Sequence, residues 1–165
     1  MNIISNLPEY TKPKNVGLMF FSMEPDRFFP YSQIDVVQFP DRVESDRFFN
    51  YPFAAVEEAL SNAVYHRAYD ERELIGVRVD NDRIEIVSFP GPDRSVTIEG
   101  LKSYRVSNRR YRNRRIGDFL KELHLTEGRN TGFKKILDAL EANSSPKPEF
   151  ETESCDDADS ACRVP

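Results

Sequence analysis

The sequence predicts an α+β fold in which helices pack on a sheet. An apolar stripe at helical spacing follows Pro52, and two short β-branched segments come directly after it. Two further segments of helical period lie in the second half of the chain. The resulting order of helix, hairpin, loop, helix, glycine loop and helix is typical of an α+β layer fold rather than of a doubly wound parallel sheet.

The chain shows no helical period before residue 46. Residues 1–15 are rich in Asn, Pro and Lys and are interpreted as an extended lead-in. Residues 17–22 (GLMFFS) form a short apolar run with aromatic side chains, which is typical of a buried strand. Residues 34–39 (IDVVQF) are β-branched and partly alternating, and predict a second strand.

Pro52 marks the predicted start of the first helix, because a proline at the first helical position loses no hydrogen bond. The apolar stripe of this helix consists of Val56, Ala59, Leu60, Ala63 and Val64. Residues 74–79 and 83–87 follow as two strands. The segment between them, Asp-Asn-Asp, favours a hairpin turn since both residue types tolerate left-handed backbone geometry.

The second half of the chain predicts two helices, at residues 116–123 and 133–142. Residues 98–101 form a short element of uncertain type, and a glycine-containing loop at residues 127–132 precedes the last helix. Beyond residue 150 the composition turns acidic and rich in Ser, which predicts a disordered tail.

Charge and composition limit the classes of function. The chain is 39% hydrophobic and 31% charged with a net charge of −5, so it is not a generic polyanion binder. No apolar run approaches the ~20 residues that cross a bilayer, and no basic segment followed by an apolar one opens the chain. We therefore expect a cytoplasmic protein without membrane association. The two cysteines have no His or Cys at metal-ligand spacing.

Glu58, Asn62 and His66 form the sharpest local pattern, because the spacing i, i+4, i+8 places them in one row beside the apolar stripe. A carboxylate can accept a proton from water, and an amide oxygen is a hard ligand that Mg²⁺ accepts. The alternative is that all three are solvated polar residues on an amphipathic helix, and spacing alone favours that alternative.

Two loops and one charged cluster offer further candidate sites. Gly128 and Gly132 flank a segment directly before a helix, where backbone N–H groups can bind an anion. The alternative is a simple turn with Thr131 as the N-cap. An arginine cluster is interpreted as a nucleic-acid or nucleotide contact, as a solvated face, or as a partner of the acidic tail; its candidates are Arg109, Arg110, Arg112, Arg114 and Arg115.

Four segments, in order, resemble those of RecG-related bacterial transcriptional regulators: YPFAAVEEALSNAVYHRAYD (51–70), DNDRIEIVSFPG (80–91), RNRRIGDFL (112–120) and EGRNTGFKKIL (127–137). The upstream stretch resembles the end of an AlbA-type (Schlafen-like) domain. We therefore expect the end of that domain and a linker at 1–45, a GHKL-like domain at 46–150 and an acidic, disordered tail at 151–165. The resemblance also implies a fragment of a longer regulator.

The resemblance implies a GHKL or Bergerat-like two-layer sandwich of a mixed sheet and helices. Glu58 would be the base that activates water, and Asn62 the Mg²⁺ ligand. His66, further along the row, is predicted to bind nucleotide. The resemblance places Gly91 in the loop that faces adenine, and the phosphate-facing lid loop would contain Gly128, Thr131 and Gly132.

Three functions remain open at this point. The first is a transcriptional regulator module that senses ATP and Mg²⁺ and contacts DNA through the full-length protein, or a second copy of the chain. The second is a degenerate scaffold for dimerisation or domain docking, and the third is a weak Mg²⁺-dependent ATPase. Residues 88–91 (SFPG) stand where ATP-hydrolysing relatives carry D-x-G-x-G, so the resemblance favours binding over turnover.

Overall fold

The computed structural model describes residues 4–7, 10–38, 51–80, 83–93, 95–106, 112–126, 131–152 and 162–164. Within these ranges the chain forms a small hairpin, a mixed sheet and several helices. The hairpin consists of β1 (Ile4–Leu7) and β2 (Tyr10–Pro13), which pair antiparallel. The predicted extended lead-in is thus a hairpin over much of its length.

The mixed sheet has the strand order β3-β4-β5-β7-β6. Its members are β3 (Ile34–Gln38), β4 (Ile75–Val79), β5 (Ile84–Ser88), β6 (Glu151–Thr152) and β7 (Cys162–Val164). β3 and β4 are parallel, and the other neighbours are antiparallel. The strands predicted at 34–39, 74–79 and 83–87 are confirmed, as is the antiparallel pairing of the last two.

The described residues include α1 (Asn15–Phe21), α2 (Phe53–His66), α3 (Ile98–Lys102), α4 (Arg114–Glu122) and α5 (Gly132–Ala142), with a short 3₁₀ turn at Pro25–Arg27. Of these helices, α2, α4 and α5 follow the apolar periodicity of the sequence. The predicted helices after Pro52, near residue 116 and near residue 133 are confirmed. In the part of the chain that the structure describes, none of the helices has the length and apolar character of a membrane crossing.

The prediction of a buried strand at residues 17–22 is wrong, because this segment lies in α1. Phe20 packs on Phe119 of α4 in a tilted arrangement with ring centroids 4.3 Å apart, and Phe21 meets the same ring edge-on at 5.6 Å. A short apolar run has no period long enough to separate a strand from a helix. The neighbouring helix decides the conformation here, since it offers an apolar surface on which adjacent aromatic side chains of α1 pack.

Two short strands lie within the segment whose composition predicts a disordered tail. β7 pairs with β5, and β6 pairs with β7. The free edge of β5 presents backbone N–H and C=O groups that any extended segment can satisfy, whatever its side chains. Composition therefore does not determine whether such a segment joins a sheet.

α2 is the central helix, and it connects the two parts of the core. In one part, Ala63 of α2 packs against Ile75 and Val77 of β4 and Ile86 of β5. The predicted apolar stripe is confirmed for Ala63 and for Ala59, Leu60 and Val64, which pack against this cluster. The other part joins α2 to α4 through Tyr65, Ile116 and Leu120. Helices layered on a mixed sheet confirm the predicted α+β class.

The contact between Tyr65 and Gly117 leads to a stability prediction. A Cβ at Gly117 would overlap the Tyr65 ring, and Tyr65 is buried. We expect Gly117→Ala to lower the free energy of unfolding by about 1–3 kcal/mol, because overpacking outweighs the better helix propensity of alanine. Urea unfolding checks this. Asp118→Ala, at the exposed neighbour in the same helix, is the control and should not destabilise the protein.

Candidate functional site

Glu58 is a buried carboxylate in the middle of α2. The residue is 2% exposed, whereas Asn62 and His66 are half-buried. The interpretation of Glu58 as a solvated polar residue is therefore wrong. A buried charge is costly unless other groups compensate it, so its neighbours define what this part of the molecule can do.

Two side chains contact the Glu58 carboxylate, one from α2 itself and one from α5. The Nδ2 of Asn62, one turn further along α2, donates to Glu58 Oε1 at 3.4 Å. The Nζ of Lys135 in α5 lies 3.5 Å from Glu58 Oε2. An amide and an ammonium thus each face one carboxylate oxygen. The sequence pattern indicated Asn62 but contained no signal for Lys135, which the fold brings from another helix.

α5 begins directly against this pair. An ideal Cβ at Gly132 would lie 2.5 Å from Glu58 Oε1 and 3.2 Å from Asn62 Nδ2, so only a glycine allows the helix start to approach this closely. Gly132 is the first residue of α5 rather than a loop residue, and Thr131 occupies the N-cap position. The Thr131 side chain makes no capping hydrogen bond, which differs from the simple-turn alternative.

The amide of Asn62 has a defined orientation. Since its NH₂ group faces the Glu58 carboxylate, its Oδ1 atom faces away from that carboxylate. An amide oxygen suits Mg²⁺, which also takes one or two carboxylates and the phosphates of a substrate. Among the residues that the structure describes there is no cluster of three or more His, Cys, Asp or Glu side chains that could hold a metal. These residues fit a magnesium ion that arrives with a phosphate ligand, rather than a self-contained metal site.

The C-terminal end of α2 is held by the segment before α4. Arg112 Nη1 donates to the carbonyl of His66 at 2.7 Å. Asn113 Nδ2 donates to the carbonyls of Tyr65 at 2.9 Å and of Arg67 at 2.6 Å. These bonds satisfy carbonyl groups that a helix end leaves unpaired. Arg112, predicted as a nucleic-acid contact, therefore also has a structural role.

The other predicted phosphate contacts divide into two groups. Arg114 and Arg115 are exposed in the first turn of α4, a position where a positive helix end and two cations repel one another. Arg109, Arg110 and Gly128 lie outside the described residues.

His66 lies about 12 Å along α2 from Glu58, given a rise of ~1.5 Å per residue, and its surroundings differ. Burial lowers its pKa from the ordinary 6.5, the nearby Arg112 lowers it further, and Asp93 opposes the shift. The imidazole is therefore neutral at pH 7.

Gly91 follows the Phe89–Pro90 peptide bond, which is cis. Its loop is anchored to this end of α2, since Ala68 N donates to Phe89 O at 3.0 Å.

The residues after His66 in the same motif fix the path of the chain. Arg67 is 1% exposed, and its guanidinium donates to the carbonyls of Ala68 and Glu73. It also lies over the Tyr69 ring, 4.7 Å from the centroid. Burial raises the pKa of Tyr69 to about 12, and its hydroxyl donates to Val64 O at 2.9 Å. These contacts give the His-Arg-Ala-Tyr segment a structural role at the end of α2.

The structure thus divides the predicted site residues between two places. Glu58, Asn62, Thr131 and Gly132 come together where α5 begins. His66 and Gly91 lie towards the other end of α2, beside Asp93 and Arg112. Four further residues contribute that the sequence did not single out, namely Glu57, Lys135, Asp93 and Asn113.

Comparisons with known proteins agree with this architecture. Residues 73–157, just over half of the chain, match the family described as "Putative ATP-dependent DNA helicase recG C-terminal". That range includes α5 but begins after α2. No curated protein matches the chain.

A solved structure shares the fold. The crystal structure of the DIP2311 protein from Corynebacterium diphtheriae superposes with a TM-score of 0.69 at 20% sequence identity. The match covers 95% of this chain and 36% of that one, so the chain spans about a third of that protein. The similarity supports the α+β fold expected from the sequence.

The lowered pKa of His66 leads to a pH prediction. The unfolded state binds more protons than the folded state at pH values below 6.5 and above the lowered pKa, so stability falls as the pH falls through this window. Urea unfolding at about pH 7.5 and about pH 5.5 should show this loss in the wild type and a smaller loss in His66→Gln. His124→Asn, at an exposed histidine, should retain the wild-type dependence. Equal losses in all three proteins would contradict the assignment.

Proposed function

The chain belongs to the RecG C-terminal family, and from that premise we propose that it is a nucleotide-binding module that holds ATP and Mg²⁺ between α2 and the start of α5. One observation carries the proposal. A buried carboxylate (Glu58), an amide (Asn62) and the N-terminus of an eleven-residue helix meet at Gly132, with the ammonium of Lys135 beside them. Together they supply the groups that a polyphosphate and its metal require.

The start of α5 supports phosphate binding for an electrostatic reason. The first-turn N–H groups of a helix have no partner within the helix, and its dipole places positive charge there. Thr131 does not cap these groups with its side chain, and the absence of a Cβ at Gly132 lets the helix start lie directly against Glu58 and Asn62. A phosphate at this end would lie next to Asn62.

Asn62 and Glu58 would have different tasks around the ligand. The Oδ1 of Asn62 would hold Mg²⁺, which neutralises phosphate charge when bound. Glu58 holds the Asn62 amide in that orientation through its own hydrogen bond. Since each Glu58 oxygen already contacts a donor, the carboxylate is poorly placed to accept a proton from water. This supports binding without turnover.

In this proposal, ATP occupancy is a signal that the full-length protein passes to DNA or to a second copy of the chain. The exposed Arg114 and Arg115 at the start of α4 support a contact with phosphates of nucleic acid. α4 packs on α2 through Tyr65, which gives a physical connection between the nucleotide site and this surface.

A degenerate scaffold is the second candidate, and the same carboxylate favours it. The Glu58 side chain is 3% exposed and is contacted by Asn62 and Lys135 from two helices. Such an enclosed cluster can also serve only to join α2 to α5. The scaffold predicts that no nucleotide raises the melting temperature, whereas a ligand bound only by the folded state must raise it. A thermal-shift series with ATP, with and without Mg²⁺, separates the two.

Removal of the proposed metal ligand gives the first binding test. We expect Asn62→Ala to weaken ATP–Mg²⁺ binding by about tenfold, the effect of roughly 1.4 kcal/mol, and to weaken Mg²⁺-free ATP much less. Isothermal titration measures both. Asn143→Ala, the same change at the opposite end of α5, should bind like the wild type. Equal heats for wild type and Asn62→Ala would refute the proposed site.

Removal of the carboxylate charge tests turnover. Glu58→Gln keeps the shape of the side chain but cannot accept a proton. If the module binds without turnover, phosphate release by the wild type and by Glu58→Gln is equal and at background. If the wild type releases phosphate and Glu58→Gln does not, the protein is a weak ATPase instead.

A further inference from the structure

Lys135 bridges two neighbouring carboxylates of α2. Its Nζ lies 3.5 Å from Glu57 Oε2 and 3.5 Å from Glu58 Oε2. Lys135 is the fourth residue of α5, and Glu57 and Glu58 are consecutive in α2. One ammonium therefore balances two negative charges at the junction of the two helices, and the group of three carries a net charge of −1.

The three members of this bridge differ in their freedom to move. The Glu58 side chain is 3% exposed, whereas Glu57 is 26% and Lys135 is 34% exposed. A lysine has a flexible four-carbon stem and a compact charge. Glu58 is thus fixed by its surroundings, while the ammonium and Glu57 reach solvent and can separate.

The bridge also lies beside the proposed phosphate position. Helical side chains lean towards the N-terminus of their helix, so the Lys135 stem runs back towards the first turn of α5. Glu58 confirms this direction, because its carboxylate faces both the Cβ position of Gly132 and the ammonium of Lys135. A phosphate at the start of α5 would therefore lie within reach of this ammonium.

We propose that Lys135 is a phosphate-binding residue of this site and that Glu57 is its built-in competitor. Without ligand, the ammonium is shared between Glu57 and Glu58. When a nucleoside polyphosphate binds, the ammonium leaves Glu57 for a phosphate oxygen, and Glu57 turns to solvent. The inference rests on the proposed function, and it adds that the Glu57–Lys135 ion pair sets the affinity of the site.

Single variants test the two opposite roles. We expect Lys135→Gln to weaken ATP–Mg²⁺ binding by about tenfold, as for a lost charge-assisted hydrogen bond. Glu57→Gln should strengthen binding by about threefold, because an exposed ion pair of this kind contributes little and the freed ammonium goes to the phosphate. Lys134→Gln is the matched control, an exposed lysine in the same turn with the same change of net charge. It should alter affinity by less than about twofold.

A double-mutant cycle separates competition from simple repulsion. Glu57→Gln also removes a negative charge that repels any phosphate, and that effect does not need Lys135. If Glu57 acts by holding the ammonium, its substitution has no effect in the Lys135→Gln background; if it acts by repulsion, the gain persists there. Lys135→Arg keeps the cation and should restore most of the lost affinity.

The outcomes distinguish this inference from the function on which it rests. If isothermal titration shows that the wild type binds neither ATP–Mg²⁺ nor ADP–Mg²⁺, the proposed function and the inference are both refuted. If the wild type binds ATP–Mg²⁺ but Lys135→Gln and Lys134→Gln have equal affinities, only the inference is refuted. A gain from Glu57→Gln that survives without Lys135 also overturns it. An affinity of Glu57→Gln equal to that of the wild type also overturns the inference, and this result does not require Lys135→Gln to fold.

Discussion

The burial of the Glu58 carboxylate is the constraint on which the rest of the site depends. A charge removed from water requires compensating donors, and an uncompensated one costs several kcal/mol. The Asn62 amide and the Lys135 ammonium provide that compensation from two helices. Gly132 is required for the same reason, because a Cβ there would occupy the space of the carboxylate. The start of α5 is therefore positioned by an electrostatic need of α2 as well as by apolar packing.

α2 contacts the sheet, α4 and α5, so a single helix packs against three different parts of the structure. Its apolar stripe packs on β4 and β5, and Tyr65 packs on α4. Its last carbonyls are bonded by Asn113 and Arg112, which precede α4. α2 therefore lies in direct contact both with the start of α5 and with α4 and the residues that precede it. Under the proposed function, α2 would connect the candidate phosphate position with the exposed arginines of α4, because it contacts both α5 and α4.

The row of polar residues on α2 illustrates how a single motif can serve two purposes. Glu58 and Asn62 face α5, whereas His66 is neutral and half-buried near Arg112 and Asp93. Arg67 and Tyr69, which continue the motif, bond to backbone carbonyls and shape the loop that follows. Regular helical spacing places residues on one side of a helix, but the elements packed against each turn determine what each residue does.

The elements whose signals are local could be predicted from the sequence alone. The apolar stripe after Pro52, the hairpin of β4 and β5, and the helices α4 and α5 follow from periodicity and turn chemistry, and so does the row containing Glu58 and Asn62. Tertiary structure decided the helical state of α1, the pairing of β7 with β5, and the bridge from Lys135 to Glu57. The physical reason is that these features depend on surfaces supplied by distant parts of the chain. Lys135 and Glu57 are 78 residues apart, and only the packing of α5 on α2 brings their charges together.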